Sequence, residues 1–198
     1  MERMIYMPPK AKFTKEQIIY AALKIARRDG INAVTARELG SELGSSARPI
    51  FTVFQSMDEV QHEIRKAAKE IYKNYINKGL SEVKSFKGVG TAYIQFAQKE
   101  SKLFQLLFME EIKTSPSSSD VLSVIEENYE EILLSVEKLY NLDKENAYKL
   151  YKHLWIYTHG IATLCATKVC VFKEEEISEM ITEVCLSILH RMKAGEVK

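Results

Sequence analysis

Arg48 is the residue of this 198-residue chain best placed to recognise a polyanion by its chemistry. Short or polar residues surround it: Ser45, Ser46 and Ala47 before it, Pro49 and Thr52 after it. Short side chains let a helix enter the major groove of duplex DNA, where a guanidinium can reach two acceptors on one guanine edge. A second pair lies far along the chain. Trp155 and His159 are four residues apart, so they share a face of any helix that holds them. An imidazole there can meet a polar group of a bound ligand, or it can be a hydrogen-bonded core histidine. No catalytic set accompanies these residues. Cys165, Cys170 and Cys185 do not form a Cys-x-x-Cys pair, and His62, His153, His159 and His190 lack metal-ligand spacing. There is no glycine-rich phosphate loop. The expectation is a protein that is not an enzyme and holds no metal or cofactor. Glu110-Glu111, Glu126-Glu127 and Glu174-Glu175-Glu176 read as solvated helix faces or first turns.

Arg48 needs an element to carry it. In the stretch from Thr35 to Phe54, Leu39, Leu43, Ile50 and Phe54 make one inward face on two helical segments broken at Gly44. Gly40 allows a close approach, and Gly44 can take positive φ and turn the chain. Ser45 or Ser46 then caps a second helix expected from about Ser46 to Phe54, with Pro49 in its first turn. The spacing of Gly40, Gly44 and Ile50 is that of a helix-turn-helix, and an αα-hairpin with a solvated face has the same pattern.

The other elements are also helical. Thr14 caps a first helix whose stripe is Ile18, Ala21, Ala22, Ile25 and Ala26, and which Gly30 ends. Thr35 caps the next. A charged helix follows over about Asp58 to Lys78, with Val60, Ile64, Ala67, Ala68, Ile71, Tyr72 and Tyr75 on its apolar side. Further helices are expected at Phe86–Lys99, Ser101–Lys113, Val121–Tyr140, Lys144–Val171 and Lys173–Met192. Inward positions include Leu139 on the third of these and Leu164 on the fourth. Thr114–Ser119 reads as a flexible loop, and residues 1–12, with Pro8 and Pro9, as a loose, partly basic arm. The fold class is all-α, with about nine helices.

Composition bounds the rest. Hydrophobic residues are 46% and charged residues 28% of the chain, ordinary for a globular protein, so core formation needs no disulfide or metal. The net charge of +1 is unevenly spread. Residues 1–57 hold nine Lys or Arg against five acids, and the remainder 19 against 22. The basic excess therefore lies with the helix-turn-helix, as phosphate neutralisation requires. No signal peptide and no run of 18 apolar residues is present, so a cytoplasmic protein without membrane contact is expected.

Thr14, Ile18, Ala21-Ala22, Gly30, Thr35, Leu39-Gly40, Leu43-Gly44-Ser45-Ser46, Ile50-Phe51, Phe54 and Met57-Asp58-Glu59-Val60 together resemble the DNA-binding domain of the TetR/AcrR family of transcriptional regulators. Trp155, His159 and Gly160 resemble the Trp-x-x-x-His-Gly signature of one subgroup. The resemblance implies a DNA-binding domain at 13–57 and an effector-binding and dimerisation domain at 58–198. It implies a homodimer through the last two helices; Ala162 and Ala166 make a small-residue stripe that fits close approach between chains or packing within one. The partners implied are a palindromic operator and a small, apolar effector. Thr35, Arg37, Ser45, Ser46, Ala47, Arg48, Pro49, Phe51 and Thr52 would face DNA. Tyr93, Phe96, Phe104, Phe108, Tyr129, Trp155 and His159 would line the effector pocket, although an aromatic cluster such as Phe104 and Phe108 also suits a plain core. Phe51 stands where the family usually has Tyr, and Met57 where it usually has Lys, so two phosphate contacts are missing. The alternative is a helical ligand-binding or interaction protein with a weakened reading head.

Overall fold

The computed structural model describes residues 11–111, 117 and 121–194. Among them every regular element is helical, as expected: nine α-helices and two 3₁₀ turns. No helix among them is long and apolar enough to cross a membrane. The arm expected over 1–12 lies outside the described residues, apart from Ala11 and Lys12. So does the Thr114–Ser119 loop, apart from Ser117. The chain divides into two compact units, one ending at Ala68 and the other beginning at Lys69.

The first unit holds α1 (Lys15–Asp29), α2 (Ala36–Glu42) and the first part of α3 (Met57–Leu80). Thr14 and Gln17 form a capping box that satisfies free backbone donors at both positions. Gly30 ends α1 at φ 92°, and Thr35 caps α2 by accepting the Glu38 N–H at 3.2 Å. The α1 stripe is buried as expected, as are Val34, Leu39, Ile50, Phe54, Val60, Ile64 and Ala68 of the same unit. Leu43, expected inward, is only half-buried.

One expectation fails here. The segment after Gly44 is not an α-helix from Ser46 to Phe54; it holds a single 3₁₀ turn, Ile50–Thr52. Pro49 has no N–H to donate, and the Thr52 hydroxyl donates to the Pro49 carbonyl at 2.6 Å. The backbone closes instead with short-range bonds, Ile50 N–H to Ala47 O and Val53 N–H to Ile50 O.

The second unit holds the rest of α3, then α4 (Ser85–Lys99), α5 (Ser101–Phe108), α6 (Val121–Ile125), α7 (Tyr129–Tyr140), α8 (Lys144–Ala166) and α9 (Glu174–Lys193). The pair α4 and α8 is its spine, flanked by α5, α7 and α9. The turn from α3 to α4 is tight because glycines meet: a Cβ on Gly88 would lie 2.3 Å from the Gly79 carbonyl oxygen.

Three helix expectations need correction. The helix expected to Lys113 ends at Phe108. The helix expected over Val121–Tyr140 is two helices, broken at Glu126–Asn128, where the Asn128 N–H turns onto the Glu126 carboxylate at 3.1 Å. The helix expected to Val171 ends at Ala166. There the Val169 N–H folds back onto Leu164 O and the Lys168 N–H onto Cys165 O, with Lys168 left-handed at φ 59°. The Gln105 amide donates to the freed Ala166 carbonyl at 2.7 Å. Leu139 and Leu164, expected inward, are exposed at 43% and 38%.

Candidate nucleic-acid face and ligand cavity

In the first unit, α2 and the segment after it are joined through glycine. A Cβ on Gly40 would lie 2.9 Å from the Ala47 nitrogen, so the return backbone rests on the helix itself. Gly44 takes φ 61°, and the Ser45 N–H donates to Gly40 O at 2.9 Å. This geometry places Ser46, Arg48, Phe51 and Thr52 in solvent, with Ser45, Ala47 and Pro49 half-buried beneath them. Thr35 and Arg37 are exposed at the start of α2. Neither Ser45 nor Ser46 caps the 3₁₀ turn. The Ser45 hydroxyl instead accepts from Lys12 Nζ at 2.9 Å.

The basic excess of this segment is less free than its sequence suggests. Lys24 pairs with Glu42 at 2.6 Å, Arg28 with Asp29 at 2.6 Å and Glu38 at 3.3 Å, and Lys15 with Glu63 at 3.2 Å. The Lys24 hydrogen bond holds the Glu42 carboxyl below its usual range, and hydrogen bonds from Lys66, at 3.1 Å, and from Lys15 do the same for Glu63. Arg37 and Arg48 make no ion pair among the described residues. These two guanidiniums are the available cations of α2 and the turn.

The second unit holds a cavity of about 270 Å³ that opens to solvent past Lys84, Leu139 and Leu186. α4 supplies Phe86, Lys87 and Tyr93, and α8 supplies Tyr151, Trp155 and Thr158. Tyr72 comes from α3, Tyr140 from the end of α7, and Ile181 and Cys185 from α9. Glu126, at the break between α6 and α7, completes the lining and is only 5% exposed. It is not on a solvated face as expected. Its carboxylate accepts the Tyr72 hydroxyl and the Asn128 N–H. Burial pushes the Glu126 carboxyl up, while those two bonds pull it down. Burial also raises Tyr72 and Tyr93 well above the usual phenol range, with the nearby Glu126 charge adding to it.

Of the seven residues expected to line a pocket, Tyr93 and Trp155 do. Phe96 and Phe104 are fully buried behind the wall, in a cluster of edge-to-face and tilted rings with Tyr72, Tyr93 and Phe108. Phe108 borders a second void, of about 40 Å³, that shares Tyr72 and Glu126 with the cavity wall. Tyr129 stacks on Tyr151 at 6.1 Å. His159 sits beside the lining. Trp155 stacks on its ring at 5.0 Å, and the Tyr93 hydroxyl meets Nδ1 at 2.8 Å. Burial lowers the His159 pKa, which favours the neutral ring. Glu126, Tyr151 and Tyr140 were not anticipated as lining. Glu126 is four residues after Leu122 and seven before Leu133, both buried, and that register was the available signal.

No group of His, Cys, Asp and Glu among the described residues has the arrangement to hold a metal ion. The chain matches no protein-family model and no curated protein sequence.

Proposed function

We propose that this protein is a TetR-type, sequence-specific DNA-binding regulator. In this reading a homodimer represses from a palindromic operator and is released when a small molecule fills the cavity. The observation that carries it is the pairing pattern of the first unit. Arg37 and Arg48 stand exposed and without ion pairs among the described residues, while Lys15, Lys24 and Arg28 are neutralised. Unpaired guanidiniums beside short side chains suit phosphate and base-edge contacts. Two such faces in one dimer would enter successive major grooves about 34 Å apart. Exposed Ile156 and Leu164 on α8 and Leu186 on α9 supply apolar surface for pairing. Ala162 and Ala166, expected as a stripe for close approach, are buried within their own unit and do not contribute to that surface. Three free cysteines suit the reducing cytoplasm in which a reader of chromosomal DNA works.

The reading is tested by selection from a random duplex pool at fixed salt, with wild type and Arg48→Ala. Wild type should enrich a palindromic consensus, and the variant should lose about tenfold or more in affinity for it. Lack of enrichment by a folded, ligand-free dimer would refute sequence-specific reading. The single 3₁₀ turn and Phe51, 47% exposed without a hydroxyl to offer phosphate, favour a second reading as a ligand-binding protein with a weakened head. The salt dependence of DNA affinity separates the two. Several phosphate contacts give a steep negative slope, whereas the weakened head gives a shallow one.

A further inference from the structure

Glu126 is a carboxylate in the wall of an aromatic cavity with no cationic partner. It is only 5% exposed, and none of the ion pairs among the described residues includes it. None of the charged groups around it is paired with it. Lys69 pairs with Glu127 at 3.1 Å, and Lys73 shares with Glu126 and Tyr72 the lining of the small void without pairing with the Glu126 carboxylate. Lys87 donates to the Thr182 hydroxyl at 3.2 Å. Lys87 also precedes Tyr93 by six residues on α4, about 9 Å along the axis, and Lys84 is exposed beyond it. Each carboxylate oxygen has one hydrogen-bond partner, the Tyr72 hydroxyl and the Asn128 N–H, which leaves acceptor capacity on the group for a cationic head. Filling this cavity with a wholly apolar body would strip the remaining water from that charge without compensation.

We propose that the cavity is a receptor for a small organic ammonium ion, with its cationic head at Glu126 among the Tyr72, Tyr93 and Trp155 rings and its apolar body toward Phe86. This deepens the regulator reading and rests on it for the ligand's role as effector. Charge pairing and ring contacts act together: a desolvated cation gains from aromatic faces as well as from the carboxylate. Size limits the class. The cavity, about 270 Å³, is under twice the roughly 150 Å³ that holds one benzene ring, so one ring with a short substituted chain fits. The lysines at the far end set polarity. An acidic ligand would bring a like charge toward Glu126, whereas an ammonium head is drawn away from Lys87.

Trp155 is the one tryptophan of the chain and lines the cavity, so its fluorescence reports occupancy directly. The probes are benzyltrimethylammonium, its neutral carbon isostere neopentylbenzene, and 3-phenylpropionate. Wild type should bind the cation at least tenfold more tightly than the isostere, and Glu126→Gln should erase that preference. Gln keeps an acceptor for the Tyr72 hydroxyl, and the wild-type comparison alone needs no variant to fold. Equal affinity for cation and isostere would overturn the proposal. So would tighter binding of phenylpropionate that Lys87→Ala abolishes. Operator occupancy followed in the same titration keeps the two claims apart. A cation that binds selectively without releasing DNA supports the receptor and refutes the effector role. DNA that is bound by a protein with no cation preference refutes the receptor alone.

Discussion

Burial sets the working charge of His159. Its ring lies between Trp155 and the Tyr93 hydroxyl, and desolvation disfavours the imidazolium. The consequence for stability has a definite sign. With the folded pKa below the unfolded value of about 6.5, the unfolded chain binds the extra proton first. Stability is therefore full above that value and is lost as pH falls from it through the folded pKa. Melting temperatures of wild type and His159→Gln at pH 7.5 and 5.5 check this. Wild type should lose more on acidification than the variant, and equal losses would show that His159 does not titrate as argued. The Trp155–His159 pairing was legible in the sequence, because four residues on any helix bring two side chains together. The Tyr93 partner was not, since it comes from another helix 66 residues away.

Glycine decides the geometry of the elements at two places. At Gly40 a methyl group would meet backbone atoms of Ser46 and Ala47 at 2.9 Å, and backbone cannot turn aside as a side chain can. Gly44 has open space around its α-carbon but holds φ 61°. Gly40→Ala should therefore cost about 2 kcal/mol through overpacking, and Gly44→Ala about 1 kcal/mol through left-handed strain. Thermal or denaturant unfolding of the two variants measures both. A Gly40→Ala protein as stable as wild type would show that the close approach is dispensable. Helix starts were readable from Thr14 and Thr35, whose side chains accept from the first turn, while the cap that Asp143 gives α8 was not anticipated. The 3₁₀ turn was not, because it follows from the Thr52 hydroxyl competing for the Pro49 carbonyl, a choice that periodicity does not record. The break at Glu126 was hidden for a related reason. Leu122, Ile132, Leu133 and Val136 keep one apolar pattern across it, and all four are buried.

For the whole molecule the question is how copies associate and how ligand and DNA affect each other. Ile156, Leu164 and Leu186 are exposed, and Gly160 has nothing within 4 Å of where its Cβ would be. A mid-helix glycine costs about 1 kcal/mol against alanine, and no contact in its own unit requires it. The proposed pairing of α8 and α9 between two chains would use that open surface. Ile156→Glu should raise the dimer dissociation constant more than tenfold, because it buries an unpaired charge. Sedimentation at a series of concentrations reads this directly, and an unchanged dimer would exclude this surface. Coupling in the proposed regulator is reciprocal, so operator DNA should weaken ligand binding by the factor by which ligand weakens DNA binding.

The sequence by itself determined the helical class, the caps at Thr14 and Thr35, the inward stripe of α1 and the joint at Gly40 and Gly44. These depend on interactions between residues a few positions apart, and the spacing of side chains on a 3.6-residue period records them. Only the tertiary structure decided which aromatics line the cavity, which cations remain unpaired, and that Glu126 faces inward. Those outcomes depend on partners tens of residues distant. The Glu126 carboxylate meets a hydroxyl 54 residues away, and Lys24 finds its acid 18 residues away, so neither choice is written in local spacing.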